Sequence, residues 1–470
     1  MTERDVPRLL LRGGHIIDPA SGFDGPGDVL MQGGRIAAVG RNLESGGGQT
    51  IDVSGRVVAP GFIDMHVHLR EPGREDAETI RTGTQAAAAG GFTAVAAMPN
   101  TEPPNDDRAV TEFILRKAAC HGVVRVHPIG CVTKGRAGRE LAEIGDLCAA
   151  GCVAVSDDGS PVASALVMRR ALEYCRTFGI PVIDHCEDPS LSAAGVMNEG
   201  PVSTVLGLRG APAEAESIMV ERDIQLAGLA EGRVHIAHVS TRDSIEAIRR
   251  AKNRGMDITA EVTPHHLLLT DECLKSYDSN FRVNPPLRQE ADRAACVQAL
   301  VEGVIDCIAT DHAPHPNQEK NVEFDAAPNG VIGLETALPV LLDRLVATGL
   351  LPLSRLIQAL SMEPARILRL SGQGSLEVGT LADVTVLDLD RPVCLDARAF
   401  RSLARNTPFQ GWRCKGRAVL TVVGGKVAHD GTGREDADEA LPGSREPGSR
   451  FSIASKTGRQ APGKRKPPGP

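Results

Sequence analysis

Apolar runs and helix-compatible stretches alternate through the middle of this 470-residue chain. Strands that alternate with helices are typical of a parallel sheet whose connections are helical. Eight such runs predict an α/β fold, a (β/α)8 TIM barrel, over residues 59–371. The eight predicted strands are residues 61–65, 93–97, 123–129, 153–155, 181–183, 234–237, 258–262 and 305–309.

An open, doubly wound sheet is the alternative fold that fits the same alternation. That fold typically carries a Gly-x-Gly-x-x-Gly turn after its first strand, where a dinucleotide binds. No such turn follows residues 61–65. The sequence therefore favours the barrel.

Both ends of the chain consist of short β-prone runs separated by paired glycines. Gly13-Gly14 and Gly33-Gly34 interrupt the first end, and Gly424-Gly425 interrupts the second. Paired glycines between short apolar runs are typical of hairpins. We expect residues 1–58 and 372–431 to form one small β-sandwich domain.

The last segment, residues 432–470, is rich in Gly, Pro and Ser and poor in apolar residues. It begins acidic and ends basic. Such a segment cannot bury enough apolar surface to offset the entropy of ordering, so the composition predicts a disordered tail. The alternative is a basic tail that contacts a partner or nucleic acid.

Composition excludes several classes of partner for the main body. Aromatic residues are only 3% of the chain, too few for the stacking platforms that bind single-stranded nucleic acid, and the net charge of −8 opposes polyphosphate binding. No apolar run reaches the roughly 18 residues that span a bilayer. The 11 cysteines include no Cys-x-x-Cys pair, and no secretory signal is visible. We expect a cytoplasmic protein with reduced thiols and neither a nucleic-acid nor a membrane partner.

Metal-binding residue types follow five of the eight predicted strands. Alternate residues of a strand face the same side, so His66 and His68 can bind one metal ion together. The carboxyl ends of barrel strands meet at one mouth, where barrel enzymes have their active sites. Four histidines and two aspartates suit two divalent ions that share a bridging carboxylate. The further candidate ligands are Asp157 or Asp158, His185, His238 and Asp311.

Motifs along the chain resemble the amidohydrolase superfamily and, within it, the bacterial class I dihydroorotases. The signature is residues 64–73, Asp-Met-His-Val-His-Leu-Arg-Glu-Pro-Gly. The resemblance extends in order over about residues 8–430. The further matching motifs are residues 97–101, 156–159, 184–188, 236–240, 261–266, 284–288, 309–315, 406–412 and 423–426.

The resemblance implies two Zn²⁺ per subunit, bridged by an aspartate. In the family the bridging residue lies 27 positions before the histidine of strand five, a spacing that favours Asp158 over Asp157 and leaves both open. Many relatives use a carboxylated lysine there, but this chain has no lysine between residues 153 and 170. The implied ligands are His66, His68 and Asp311 at one ion and His185 and His238 at the other.

The implied activity is that of a cyclic amide hydrolase, which interconverts N-carbamoyl-L-aspartate and dihydroorotate in pyrimidine biosynthesis. Asp311 is then also catalytic, because it relays a proton to the ring nitrogen that leaves. The alternatives are another ring amidohydrolase, such as a hydantoinase or allantoinase, and an inactive scaffold for aspartate transcarbamoylase. We expect a homo-oligomer, with aspartate transcarbamoylase as a candidate partner.

A substrate with a carboxylate needs fixed hydrogen-bond donors in its pocket. Arg70 directly follows the His-x-His pair and can bind a carboxylate through two parallel hydrogen bonds. Residues 316–330 are a candidate lid, although the family often has Pro-Phe-Gly where this chain has Pro328-Asn329-Gly330. The other substrate contacts that the resemblance implies are His68, Asn100, Asn284, His315, Asn329 and Gly330.

Overall fold

The computed structural model describes residues 8–192 and 195–433, which form eighteen strands and fourteen α-helices. The strands are β1 (Arg8–Asp18), β2 (Phe23–Gln32), β3 (Arg35–Gly40), β4 (Gln49–Asp52), β5 (Val57–Pro60), β6 (Phe62–Val67), β7 (Phe92–Ala97), β8 (Arg125–Gly130), β9 (Ala154–Ser156), β10 (Val182–Asp184), β11 (Met197–Asn198), β12 (Gly210–Ala211), β13 (Val234–Ile236), β14 (Ile258–Val262), β15 (Cys307–Ile308), β16 (Val384–Cys394), β17 (Arg413–Val423) and β18 (Lys426–Asp430). The helices are α1 (Ile80–Ala89), α2 (Arg108–His121), α3 (Ile144–Ala150), α4 (Ala165–Phe178), α5 (Pro189–Ser192), α6 (Pro201–Leu206), α7 (Glu214–Ala230), α8 (Arg242–Asn253), α9 (Pro264–Leu268), α10 (Glu290–Glu302), α11 (Asn317–Lys320), α12 (Ala337–Leu341), α13 (Leu353–Leu360) and α14 (Met362–Ile367).

Eight parallel strands form the barrel, in the order β6-β7-β8-β9-β10-β13-β14-β15. An isolated parallel bridge between Val67 and His312 brings the chain after the last strand back to the first. Almost every residue of these strands is buried, as a parallel sheet covered by helices requires. Each apolar run that the sequence indicated overlaps one strand, so the predicted fold class is confirmed.

The helices begin and end where local chemistry permits. The side chain of Asp107 accepts a hydrogen bond from Val110 N at the start of α2, and Thr241 does the same for Ser244 N at α8. Gly179 ends α4 with a φ of 68°, a conformation that costs little only for glycine. No helix of the described residues is both long and apolar enough to cross a membrane.

The second large sheet is built from both ends of the chain. Its strand order is β18-β17-β16-β5-β1-β2-β3, and β4 also pairs with β1. The late strand β16 pairs antiparallel with β5, so the two ends are directly hydrogen-bonded. A mixed sheet composed of both ends is therefore present, while its assignment to a separate β-sandwich domain of residues 1–58 and 372–431 stays a prediction. Of the predicted tail, all but residues 432 and 433 lie outside the described part of the chain.

Buried threonines join this second sheet to the barrel. Thr385 Oγ1 accepts a hydrogen bond from Phe62 N at 3.3 Å and donates one to Gly91 O at 2.7 Å. Thr421 Oγ1 donates to Ala88 O at 2.7 Å. Both side chains are completely buried. Thr385 bonds to the first residue of β6, the strand that carries His66.

We predict that Thr385→Val lowers the free energy of unfolding by about 1–3 kcal/mol, because it leaves a buried amide and a buried carbonyl without their partner. Thr50→Val, on the exposed face of β4, should change that free energy by less than about 0.5 kcal/mol. Denaturant titration of both variants measures the difference. Equal stabilities would show that the threonine does not support the junction.

Candidate metal centre at the barrel mouth

The carboxyl ends of five barrel strands bring six predicted ligands into one buried cluster. His66 Nε2 lies 3.3 Å from Asp158 Oδ2 and 3.5 Å from Asp311 Oδ1. His68 Nε2 lies 3.5 Å and 3.0 Å from the same two oxygens. The other oxygen of Asp158 lies 3.4 Å from His238 Nε2 and 3.7 Å from His185 Nδ1.

Asp158 thus turns one carboxylate oxygen towards each pair of imidazoles. Burial disfavours its charged form, but the His66, His185 and His238 rings outweigh burial and hold its pKa well below the usual range. Asp311 approaches only the first pair. A carboxylate between two clusters of nitrogen ligands is the arrangement that can bridge two cations.

Some buried side-chain atoms of the cluster have no hydrogen-bond partner in the part of the chain that the structure describes, which bears on whether these residues fit a metal ion. Buried polar atoms nearly always have a hydrogen-bond partner, yet His66 Nε2 and Asp158 Oδ1 have none among the described residues. The ligand atoms of His66, His68 and Asp311 lie within 4.8 Å of one another, as do those of His66, Asp158 and His238. Imidazole nitrogens and carboxylate oxygens are donors that Zn²⁺ and similar divalent ions accept. The cluster therefore fits a divalent metal centre.

Asp157, which the spacing left open as the bridging residue, is turned away from the imidazoles. Its Oδ1 accepts hydrogen bonds from Val132 N at 2.9 Å and Thr133 N at 3.1 Å, and its Oδ2 accepts one from the Thr133 hydroxyl. Both of its oxygens are thus used to hold the loop after β8. Only Asp158 of the pair lies among the imidazoles.

Two carboxylates that the sequence analysis did not identify orient the imidazoles. Each accepts a hydrogen bond from the ring nitrogen that faces away from Asp158. Glu261 Oε1 accepts a hydrogen bond from His66 Nδ1 at 2.6 Å, and Glu187 Oε2 accepts one from His185 Nε2 at 2.8 Å. Each bond fixes the tautomer, so that the other ring nitrogen presents its lone pair to the cluster. The available signal was Glu261 itself, the one charged residue of strand β14.

Three residues of the site have a backbone conformation that only glycine adopts readily. The φ angles are 60° at Arg70, 32° at His238 and 49° at Asp311. Each such residue costs about 1–3 kcal/mol, and residues of this kind concentrate at functional sites. The strain lies at the strand ends that direct these three side chains towards the mouth.

Four of the predicted substrate contacts lie together beside the cluster. Arg70 Nε donates to Pro314 O at 3.1 Å, and its Nη2 lies 3.4 Å from His315 Nε2. Burial and the charge of Arg70 lower the pKa of His315 to about 4, so that ring is uncharged near neutral pH. His315 Nε2 also lies 2.9 Å from Asn329 O. A Cβ on Gly330, whose φ is 122°, would lie 2.7 Å from Ala313 Cβ, so this position requires glycine.

Of the two remaining asparagines, one contacts a predicted ligand and the other contacts a carboxylate that orients a ligand. Asn100 Oδ1 lies 2.8 Å from His68 Nδ1, and Asn284 Nδ2 donates to Glu187 Oε2 at 2.8 Å. Both are therefore at the mouth, one on each side of the imidazole cluster. Their contact with a substrate stays a prediction.

Comparison with known proteins identifies relatives over nearly the whole chain. A sequence model of the Dihydro-orotase-like family matches residues 55–244. The dihydroorotase of Syntrophotalea carbinolica is 52% identical over 422 residues, which are 90% of this chain and 99% of that protein. The dihydroorotase of Anaeromyxobacter dehalogenans is 52% identical over 425 residues, 90% of this chain and 98% of that protein.

Solved structures of ring amidohydrolases have the same fold. The L-hydantoinase of Arthrobacter aurescens superposes with a TM-score of 0.81 at 26% identity, over 90% of this chain and 96% of that one. The dihydropyrimidinase of Brevibacillus agri superposes with a TM-score of 0.78 at 22% identity, over 90% and 95% of the two chains. The second of these likenesses concerns the fold alone.

We predict that Asp158→Ala loses most of its divalent metal, because the substitution removes the one carboxylate that faces both imidazole pairs. Asp157→Asn should keep its metal and lose about 1–3 kcal/mol of folding stability, since its oxygens bind only protein donors. Elemental analysis after dialysis, with thermal denaturation alongside, distinguishes the two variants. Equal metal loss in both would contradict the bridging role.

Proposed function

Because this chain belongs to the dihydroorotase family, we propose that it is a metal-dependent dihydroorotase, which interconverts N-carbamoyl-L-aspartate and dihydroorotate in pyrimidine biosynthesis. The observation that carries the proposal is the Asp158 carboxylate between two imidazole pairs, in a chain 52% identical to dihydroorotases over 90% of its length. An inactive scaffold has no need for six complete ligand positions.

The proposed cofactor is a pair of Zn²⁺ ions. The unpartnered His66 and Asp158 atoms and the mixed nitrogen and oxygen donors support this assignment. When bound, such ions supply Lewis acidity, which lowers the pKa of a water molecule and polarises a carbonyl group. The proposed ligands are His66, His68 and Asp311 for one ion and His185 and His238 for the other, with Asp158 between them.

Asp311 is the proposed proton carrier. It is 7% exposed, and its Oδ1 lies 3.0 Å from His68 Nε2, inside the cluster. In hydrolysis, oxygen of water bonds to the ring carbonyl carbon, Asp311 accepts one proton from that water, and the same proton passes to the ring nitrogen as the C–N bond breaks. The new carboxyl group releases a second proton. Ring closure therefore takes up one proton overall, so acid pH favours closure and alkaline pH favours hydrolysis.

Arg70 is the proposed partner of the substrate's carboxylate. The hydrogen bond from Arg70 Nε to Pro314 O holds the guanidinium in place. The His315 ring beside it is uncharged, so Arg70 is the group of this pair that attracts an anion. Hydantoinases bind rings that lack this carboxylate, so Arg70 favours dihydroorotate among the ring substrates. The further proposed contacts are His68, Asn100, Asn284, His315, Asn329 and Gly330.

Three expectations concern the assembly of the protein and its location in the cell. Self-association, partnership with an aspartate transcarbamoylase and a cytoplasmic location stay predictions. Size-exclusion chromatography and copurification from the native cell test the first two.

We predict that the purified, metal-loaded protein hydrolyses dihydroorotate and that Asp311→Ala abolishes turnover in both directions. Loss of a positioned proton carrier typically costs about 10²–10⁴-fold in rate. Activity on hydantoin or allantoin without activity on dihydroorotate would overturn the proposed function. A variant that keeps its metal and more than about a tenth of wild-type kcat would overturn only the proton role.

We predict that Arg70→Met mainly raises KM for dihydroorotate, by about 100-fold, because a charge-assisted pair with the substrate is lost. Arg81→Met, on the exposed face of α1, is the matched control and should leave KM unchanged. Steady-state kinetics on the two variants makes the comparison. An unchanged KM in Arg70→Met would exclude contact between Arg70 and the substrate.

A further inference from the structure

Lys320, at the end of α11, has a buried side-chain nitrogen that the proposed chemistry does not use. Its residue is 4% exposed. The ammonium donates to Pro328 O at 2.9 Å and Gly330 O at 3.1 Å, and lies 3.5 Å from Arg282 O. Within residues 8–192 and 195–433 it forms no ion pair with a carboxylate. Burying an ammonium among neutral carbonyls is costly, and burial lowers the pKa of Lys320 to about 7.

The three carbonyls belong to two separate segments that carry proposed substrate contacts. Arg282 is two residues before Asn284, and Pro328 and Gly330 flank Asn329. The same two segments are joined by Gly330 N, which donates to Arg282 O at 2.9 Å, and by Arg282 Nε, which donates to Asn329 Oδ1 at 2.9 Å. Lys320 therefore lies at the centre of the junction between the two segments.

This junction extends to the proposed carboxylate site. His315 Nε2 contacts Asn329 O, and Arg70 Nη2 contacts His315 Nε2. Asn406 Nδ2 supports the same region, because it donates to Ala313 O at 3.0 Å and to Gly330 O at 3.1 Å. A displacement of residues 328–330 would thus move the His315 ring against Arg70.

Resting on the proposed function, we propose that Lys320 is a positioning residue for substrate binding. Its ammonium fastens the segment that contains Asn329 and Gly330 to the segment that contains Asn284. The fastening holds Arg70 and His315 at the separation that receives the substrate's carboxylate. All the contacts of Lys320 described above are to backbone oxygens, so it acts through the groups that it holds and takes no part in proton transfer.

The test compares Lys320→Met, which keeps the length of the side chain and removes the donors, with Lys320→Arg, which keeps donors and charge. Lys275→Met, at an exposed lysine of the neighbouring turn, is the matched control. For Lys320→Met we expect KM for dihydroorotate to rise about tenfold while kcat stays within about threefold and the metal content is unchanged. Lys320→Arg should recover most of the loss in KM, and Lys275→Met should match the wild type.

Hydrogen exchange followed by mass spectrometry supplies a readout that needs no substrate. Lys320→Met should exchange faster at residues 279–286 and 328–332 only, with the barrel strands protected as in the wild type. An unchanged KM, or a fall in kcat together with loss of metal and of protection throughout the barrel, would overturn the positioning role. If Lys320→Met does not fold, Lys320→Gln carries the test by the same criteria. Absence of dihydroorotase activity in the wild type would overturn the proposed function, and local exchange would still decide whether Lys320 fastens the two segments.

Discussion

One carboxylate placed between two pairs of imidazoles is the constraint on which the rest of the site depends. Asp158 directs one oxygen to His66 and His68 and the other to His185 and His238. Four imidazoles and two carboxylates are desolvated together at this point, a cost that buried polar groups recover only when they are paired. The strained backbone at Asp311 directs that side chain towards His66 and His68, and the glutamates bonded to the imidazoles hold the rings in place.

The alternation of apolar runs was sufficient to predict the barrel, because a buried parallel strand leaves a continuous apolar signal. The apolar runs overestimate the length of a strand where few residues pair. The last run spans residues 305–309, but only Cys307–Ile308 pairs as a strand. The sheet composed of both ends was also predictable from the hairpin glycines Gly33-Gly34 and Gly424-Gly425. Gly13-Gly14, expected to interrupt the first end, lies inside β1 at an irregularity in its pairing with β2. The attachment of this sheet to the barrel was not predictable, because Thr385 and Thr421 have no distinctive sequence context and their partners are 294 and 333 residues away.

The choice between two adjacent aspartates could not be made from the sequence alone. Asp157 and Asp158 follow the same short strand, and the spacing favours Asp158 without excluding Asp157. The structure distinguishes them, because Asp157 accepts hydrogen bonds from the amides of the loop after β8. Glu261 stands out as the charged residue of its strand, but its role could not be predicted for a related reason. That role follows from His66, which is 195 residues from Glu261, and not from neighbours along the chain.

The pairing of β16 with β5 has a consequence for biosynthesis. The ribosome produces the chain from its amino end, so β5 is exposed with an unsatisfied edge until residues beyond 384 have been synthesised. Strand β6, which carries His66, begins directly after β5 and receives its hydrogen bond from Thr385 only when residue 385 has been synthesised. β5 therefore reaches its last partner only after most of the polypeptide has been synthesised, and until then its free edge is a site at which the nascent chain can pair with another chain.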